Sequence, residues 1–218
     1  MSSIKPTREP TKTQAQGQTQ LLYLIGPSGA GKDSLINWLK QQPQAIADAI
    51  YFAPRYISRP TDNGIEQHIY LDADGFGQQR HQFAMYWQAN GYHYGIHQEV
   101  LVRLQQGQSV VINGSRAELT QAQRVFGERL KVVLLSVCDT TLAQRLQQRG
   151  RETSQQITAR LTRHRRYQDV NADAIIDNNH SLEDAGKQLL KYIEGVIAKD
   201  TEPQHQQNAP LFTSSDIP

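Results

Sequence analysis

Between Gly26 and Lys32 the chain reads Gly-Pro-Ser-Gly-Ala-Gly-Lys, the spacing G-x-x-x-x-G-K. Glycines at those positions leave backbone N–H groups able to converge on phosphate oxygens, and the lysine adds a mobile positive charge. The apolar run Leu21–Ile25 precedes this stretch, and Leu35, Ile36, Trp38 and Leu39 follow it at helical spacing. The loop therefore joins a buried strand to a helix whose N-terminal dipole faces the same anion. That context points to a bound nucleoside triphosphate held by Gly26, Pro27, Ser28, Gly29, Ala30, Gly31, Lys32, Asp33 and Ser34. One position departs from the usual pattern: Asp33 stands where a magnesium-ligating Ser or Thr is common, and a hydroxyl follows only at Ser34. Magnesium accepts hard oxygen donors of either kind, so Ser34 or Asp33 can hold it, directly or through water.

Positioning these residues requires one domain with a real core, and the composition suits that. The chain has 218 residues, 38% hydrophobic and 20% charged, enough for a single unit of that kind. A net charge of +2 gives no reason to expect a nucleic-acid partner. The one cysteine, Cys138, excludes an intramolecular disulfide; it ends the apolar run Val132–Val137, where a small buried thiol is expected. The N-terminus lacks the apolar stretch of a signal peptide and no run is long enough to cross a bilayer. A cytoplasmic protein without a membrane partner is the expectation. Residues 1–20 and 199–218 are polar and read as disordered tails around a domain at 21–198.

Patterning predicts strands near 21–25, 51–58, 67–71, 83–88, 109–113, 131–137 and 174–177. Helices are predicted near 32–42, 97–106, 117–126, 140–149, 154–168 and 181–198. Val110–Ile112 and Val132–Leu135 are continuous apolar runs, as expected of strands covered on both faces. The order is α/β, a three-layer fold with a parallel central sheet. Turns at Thr61-Asp62-Asn63-Gly64 and Asn90-Gly91 break the rhythm and suggest a small antiparallel insertion over 51–95. His93 and His97 are four apart, but Gly95 between them argues against a helical metal site. His164, among Arg163, Arg165 and Arg166, reads as a surface residue, and Trp87 and most tyrosines read as core or pocket wall.

Gly26–Lys32, Ser58-Arg59-Pro60, Tyr94-Gly95, the segment Arg145–Leu161 and Ala174-Ile175-Ile176-Asp177-Asn178 together resemble the guanylate kinase family over about residues 20–195. The resemblance implies that the inserted β-region binds the acceptor phosphate, through Arg59 and Tyr94, and that an arginine-bearing helical lid over 145–166 closes on the transferring phosphoryl group. Arg149 and Arg160 fall where lid arginines occur. For Arg145, Arg149, Arg151, Arg160 and Arg163 a solvated helical face is the ordinary alternative, and the spacing favours Arg149 and Arg160, which flank a loop at Gly150–Ser154. An adenine contact is expected near Asn178.

Departures from that family bear on the acceptor. Aligning Phe83–Gly95 places Met85 where guanylate kinases carry a guanine-binding glutamate, and a thioether cannot accept those hydrogen bonds as a carboxylate does. Asn113 replaces a second carboxylate at a strand end, and Arg55 adds a cation where the family often has serine. With Gly-Lys-Asp-Ser at 31–34, Arg55-Tyr56-Ile57-Ser58-Arg59, Asn113-Gly114-Ser115-Arg116 and Arg149-Gly150-Arg151-Glu152, the chain resembles the ribose 1,5-bisphosphate phosphokinases of phosphonate utilisation. That resemblance implies ATP and magnesium, with α-D-ribose 1,5-bisphosphate as acceptor and 5-phosphoribosyl 1-diphosphate (PRPP) as product. Arg55, Arg59, Tyr94, Asn113 and Arg116 are the expected acceptor contacts, and Lys32, Arg149 and Arg160 the expected catalytic groups. Two alternatives stay open on the residues alone: a nucleoside monophosphate kinase with relaxed base preference, and a non-catalytic binding module.

Overall fold

The computed structural model describes residues 19–43, 48–60, 68–150, 152–167 and 169–201. The polar ends up to residue 18 and from residue 202, the Thr61–Gly64 turn and Arg151 lie outside the described residues.

Strand β1 (Leu21–Ile25) is buried along its whole length and occupies the centre of a five-stranded parallel sheet. Its neighbours are β7 (Ser109–Asn113) and β8 (Leu130–Ser136), with β2 (Ile50–Ala53) and β9 (Ala174–Asp177) at the edges. Successive side chains of β1 alternate between two cores, as a period of two requires. Leu22 and Leu24 pack with Leu35 and Leu39 of helix α1 (Lys32–Lys40) and with Ala185, Leu189 and Ile193 of the C-terminal helix, Leu182–Thr201. Leu21, Tyr23 and Ile25 pack with Val110, Ile112 and Val132 on the opposite face. That second face is covered by helix α3 (Glu99–Gln105) through Val100 and Leu104, and by helix α4 (Leu119–Phe126) through Ala122 and Phe126. The C-terminal helix, α7 in chain order, lies close against α1: a Cβ on Gly186 would sit 2.5 Å from the Trp38 ring. No helix among the described residues is long and apolar enough to cross a membrane.

The insertion is a second sheet of four strands in the order β4 (His68–Tyr70), β3 (Arg55–Ile57), β6 (Tyr92–His97), β5 (Phe83–Ala89). Asn90 and Gly91 join β5 to β6 with φ of 52° and 79°, the tight hairpin geometry expected of an Asn-Gly pair. Two details differ from the sequence reading. Residues 51–53 belong to the central sheet, paired parallel to β7, because Pro54 has no N–H to continue a ladder and the chain changes sheets there. Furthermore, β3 and β4 run parallel while β3–β6 and β5–β6 are antiparallel, so the insertion is mixed. The short helix α2 (Ala73–Gln78) escapes sequence patterning because Gly75 and Gly77 are poor helix formers. It starts on an Asp72 cap that accepts from Gly75 N at 2.7 Å.

Helix α5 (Asp139–Arg149) ends at Gly150, in the left-handed conformation with φ of 65°. Helix α6 (Ser154–Arg165) follows, opened by a capping box in which Thr153 and Gln156 satisfy each other's backbone N–H. These two helices carry Arg149 and Arg160.

Candidate active site

One cleft of about 730 Å³ runs between the loop after β1, the insertion and helices α5 and α6. Gly26, Ser28, Gly29, Gly31, Lys32, Asp33 and Ser34 line it from the loop, and Arg55, Arg59 and Tyr94 from the insertion. Arg116 enters from the turn after β7, and Arg149 and Arg160 from the helical pair. Positive φ angles of 94° at Gly29 and 93° at Gly31 bend the loop into its curl, a conformation that costs a non-glycine residue dearly. Gly31 is also tightly seated: a Cβ there would lie 2.9 Å from Asn178 Nδ2. Lys32 Nζ donates to the carbonyls of Gly26 and Pro27 at 3.1 and 3.2 Å. Pro27 and Ala30, expected beside them, do not line the cleft. Ala30 is wholly buried, and its carbonyl accepts from Asn178 Nδ2 at 2.6 Å and Arg145 Nη1 at 3.4 Å.

Charge is the cleft's dominant property. Lys32 and seven arginines (55, 59, 116, 145, 149, 160 and 163) line it, and Asp33 is the one carboxylate among its described lining residues. Asp33 Oδ1 accepts from Asn113 Nδ2 at 2.6 Å and from Arg55 Nη2 at 3.2 Å. That arrangement corrects the expectation for Asn113, which is 5% exposed and outside the cleft lining. Its amide Nδ2 orients Asp33, so it joins Arg55 to the end of the loop through that carboxylate. Arg55 and Arg59 line the cleft, and Tyr94 stacks on Trp87 with ring centres 5.3 Å apart.

Met85 is fully buried among Leu21, Tyr23, Ile96 and Val110, so it does not line the cleft. The alignment that set Met85 in the acceptor pocket therefore fails geometrically. Residues 85 and 87 share a strand face, and only Trp87, nearer the hairpin, reaches the cleft.

Helix α6 is in contact with the loop. Arg160 Nη1 donates to Ser28 Oγ at 2.5 Å, and Arg160 Nη2 pairs with Glu152 at 3.0 Å. Arg163 also lines the cleft, whereas Arg165 pairs with Asp139 at 2.7 Å and stays outside it.

Sequence reasoning missed several partners. Tyr23 is buried, and its hydroxyl accepts from Ser115 N at 3.0 Å and donates to Ser115 O at 3.2 Å, pinning the turn that carries Arg116. Burial pushes its phenol up to about 12, so it stays neutral there. His164, read as a surface residue, is buried; a basic run hides a single inward-facing ring from patterning. Cys138 is exposed rather than buried. It sits just before α5, where hydrogen bonds with Thr140 and Thr141 bring its thiol down to about 7. Its strand ends one residue earlier than patterning suggests, at Ser136. His93 and His97 lie on a strand, and no cluster of three metal-binding side chains occurs among the described residues.

A guanylate kinase family model matches residues 18–196. The ribose 1,5-bisphosphate phosphokinase PhnN of Pectobacterium atrosepticum is 46% identical over 164 residues, covering 74% of this chain and 86% of that protein. The protein of the same name from Yersinia pestis is 47% identical over 151 residues, covering 68% and 77%. Among solved structures, a guanylate kinase from Anaplasma phagocytophilum superposes with a TM-score of 0.56 at 14% identity, covering 87% of this chain and 89% of that one, a likeness of fold. The chain thus belongs to the guanylate kinase family, together with the ribose 1,5-bisphosphate phosphokinases.

Proposed function

We propose that this chain transfers the γ-phosphoryl group of ATP to the 1-phosphate of α-D-ribose 1,5-bisphosphate, giving PRPP and ADP. The observation that carries the reading is the cleft's charge, eight cations around a single carboxylate that is itself engaged. Each phosphate monoester brings about −1.5 to −2 at neutral pH, so an acceptor with two of them, facing a triphosphate, needs a lining of this kind. A guanine-reading site needs a carboxylate turned toward the base, and the one carboxylate among the cleft's described lining residues, Asp33, is held by Asn113 and Arg55. The intact loop with Lys32 favours catalysis over a binding module.

The acceptor phosphate has a second pKa of about 6, so it is already a nucleophile and no general base is required. Positioning and charge neutralisation remain. In this reading Lys32 leaves the carbonyls of Gly26 and Pro27 for the β and γ phosphates, and the loop amides from Gly26 to Gly31 hold the rest of the chain of phosphates. Arg55, Arg59 and Tyr94 grip the acceptor's phosphates, Arg116 lies along the sugar, and Arg149 and Arg160 meet the group in transit. Asn178 lines the cleft with a buried Oδ1 that has no hydrogen-bond partner among the described residues, which suits the adenine amino group. Asp33 and Ser34 supply hard oxygens at the loop's end, the donor set magnesium prefers, with Asp33 held in orientation by Asn113 and Arg55. Bound there, the ion would offset negative charge on the donor's phosphates.

A substrate panel tests the reading. With ATP and magnesium the purified protein consumes ribose 1,5-bisphosphate at least about 10⁴-fold more efficiently than GMP, the scale at which absent hydrogen-bond partners discriminate. Faster phosphorylation of GMP would move the assignment to a nucleoside monophosphate kinase.

A further inference from the structure

Arg116 reaches the cleft from the turn after β7, yet its guanidinium is held by the far end of the lid helix. Nη1 lies 3.3 Å from His164 Nδ1, and the guanidinium carbon lies 5.0 Å from the centre of the Tyr167 ring. The other imidazole nitrogen, Nε2, is 3.0 Å from the carbonyl oxygen of Val137 at the end of β8. A guanidinium only donates and a carbonyl only accepts. The two contacts together therefore require one tautomer, with the proton on Nε2 and a lone pair on Nδ1. Asp139 Oδ1 lies 3.8 Å from Nε2 and Arg165 takes the other carboxylate oxygen at 2.7 Å, so the ring is wedged between β8 and the start of α5. At 9% exposure and outside the cleft lining, the ring reaches the site only through Arg116.

Burial and the nearby Arg163 bring the Arg116 guanidinium down to about 10, which still leaves it charged at neutral pH. A desolvated arginine of this kind is strongly drawn to an anion, provided something holds it in place beforehand.

We propose that His164 is a positioning residue, whose Nδ1 lone pair aims Arg116 at the acceptor and ties the seating of the lid helix to acceptor binding. The proposal rests on the reading above that the cleft takes a phosphorylated sugar. It makes Arg116 the joint between the turn after β7 and helix α6: a lid that lifts takes the Nδ1 acceptor with it and loosens Arg116. Occupancy of the acceptor site and closure of the lid then favour one another.

Two substitutions separate positioning from plain packing. H164N keeps an acceptor at the δ position for Arg116 and loses the ε donor; H164Q keeps the ε donor for Val137 and loses the δ acceptor. We expect H164Q to raise KM for ribose 1,5-bisphosphate about 10-fold, the scale of a lost hydrogen bond to a charged group, with KM for ATP little changed. H164N stays within about threefold on both, and adding H164Q to R116A changes nothing further, since coupled residues do not add. The reverse order, with H164N the more damaged, would assign the ring to holding Val137 and overturn the proposal. Nitrogen-15 NMR of the wild-type protein reads the same contact without turnover: Nε2 carries the proton and Nδ1 does not. A protonated Nδ1 overturns the proposal whether or not the variants fold. A wild-type protein inactive on ribose 1,5-bisphosphate defeats the functional reading and the acceptor role together, while the nitrogen spectrum separately decides the His164–Arg116 contact.

Discussion

Replacing Lys32 by alanine lowers kcat by roughly 10²–10³-fold, the usual effect of removing one preorganised donor from a developing charge, and leaves the fold intact. The lysine's contacts in this structure include two carbonyls of its own loop, Gly26 O and Pro27 O, both part-buried. Hydrogen bonds from a charged donor are worth about 1.5–3 kcal/mol each when fully formed, and the cost is smaller here because both acceptors are only part-buried and water can replace the lysine. The thermal midpoint therefore moves by only a few degrees, while the reacting phosphates lose the mobile cation that the loop itself supplies. Steady-state kinetics alongside a melting curve measure both parts. An unchanged kcat would remove Lys32 from the phosphate site, and a collapsed melting curve would give it a structural role instead.

Arg160→Ala is expected to cost more, roughly 10³-fold in kcat, at the lower end of what an arginine at a transferring phosphoryl group contributes. Arg160 bridges the lid and the loop, with Ser28 Oγ at 2.5 Å on one side and Glu152 at 3.0 Å on the other. Glu152 is 7% exposed at its side chain, so it serves to aim the guanidinium, and its own second oxygen, Oε2, has no hydrogen-bond partner among the described residues. Alanine strands that carboxylate and frees the lid. Lysine at 160 keeps the charge but has no planar fork to hold Ser28 and Glu152 at once, so about a tenfold loss or more should remain. Single-turnover kinetics with ATP saturating distinguish this from a binding defect: if only KM for ATP rises while kcat stays level, Arg160 serves the ground state alone.

Much of this machinery is legible in the sequence where a local rule governs it. The loop from Gly26 to Lys32 and the Asn90-Gly91 hairpin are backbone requirements written into particular residues, and both take the shape their glycines allow. Continuous apolar runs place β1, β7 and β8 to within a residue. What escapes is whatever depends on two distant segments meeting. Asn113 and Asp33 are 80 positions apart, and their 2.6 Å hydrogen bond turns an expected acceptor contact into an orienting one. His164 looks like part of a basic surface until β8 and α5 close around it. Met85 and Trp87 share one face of β5, so only the position along the strand decides that Met85 joins the core with Tyr23 while Trp87 takes the cleft wall. Cys138 shows the same limit: one residue of strand length separates a core thiol from an exposed one at a helix start.

Phosphorus-31 NMR of the reaction mixture examines the central claim most directly, because it reports which oxygen receives the γ-phosphoryl group. Starting from ATP, magnesium and ribose 1,5-bisphosphate, the expected spectrum gains a pair of coupled doublets from a new diphosphate at C1, keeps the 5-phosphate singlet unshifted, and shows ADP growing in step. Release of inorganic phosphate with no new P–O–P coupling, or a diphosphate formed at C5, would contradict it.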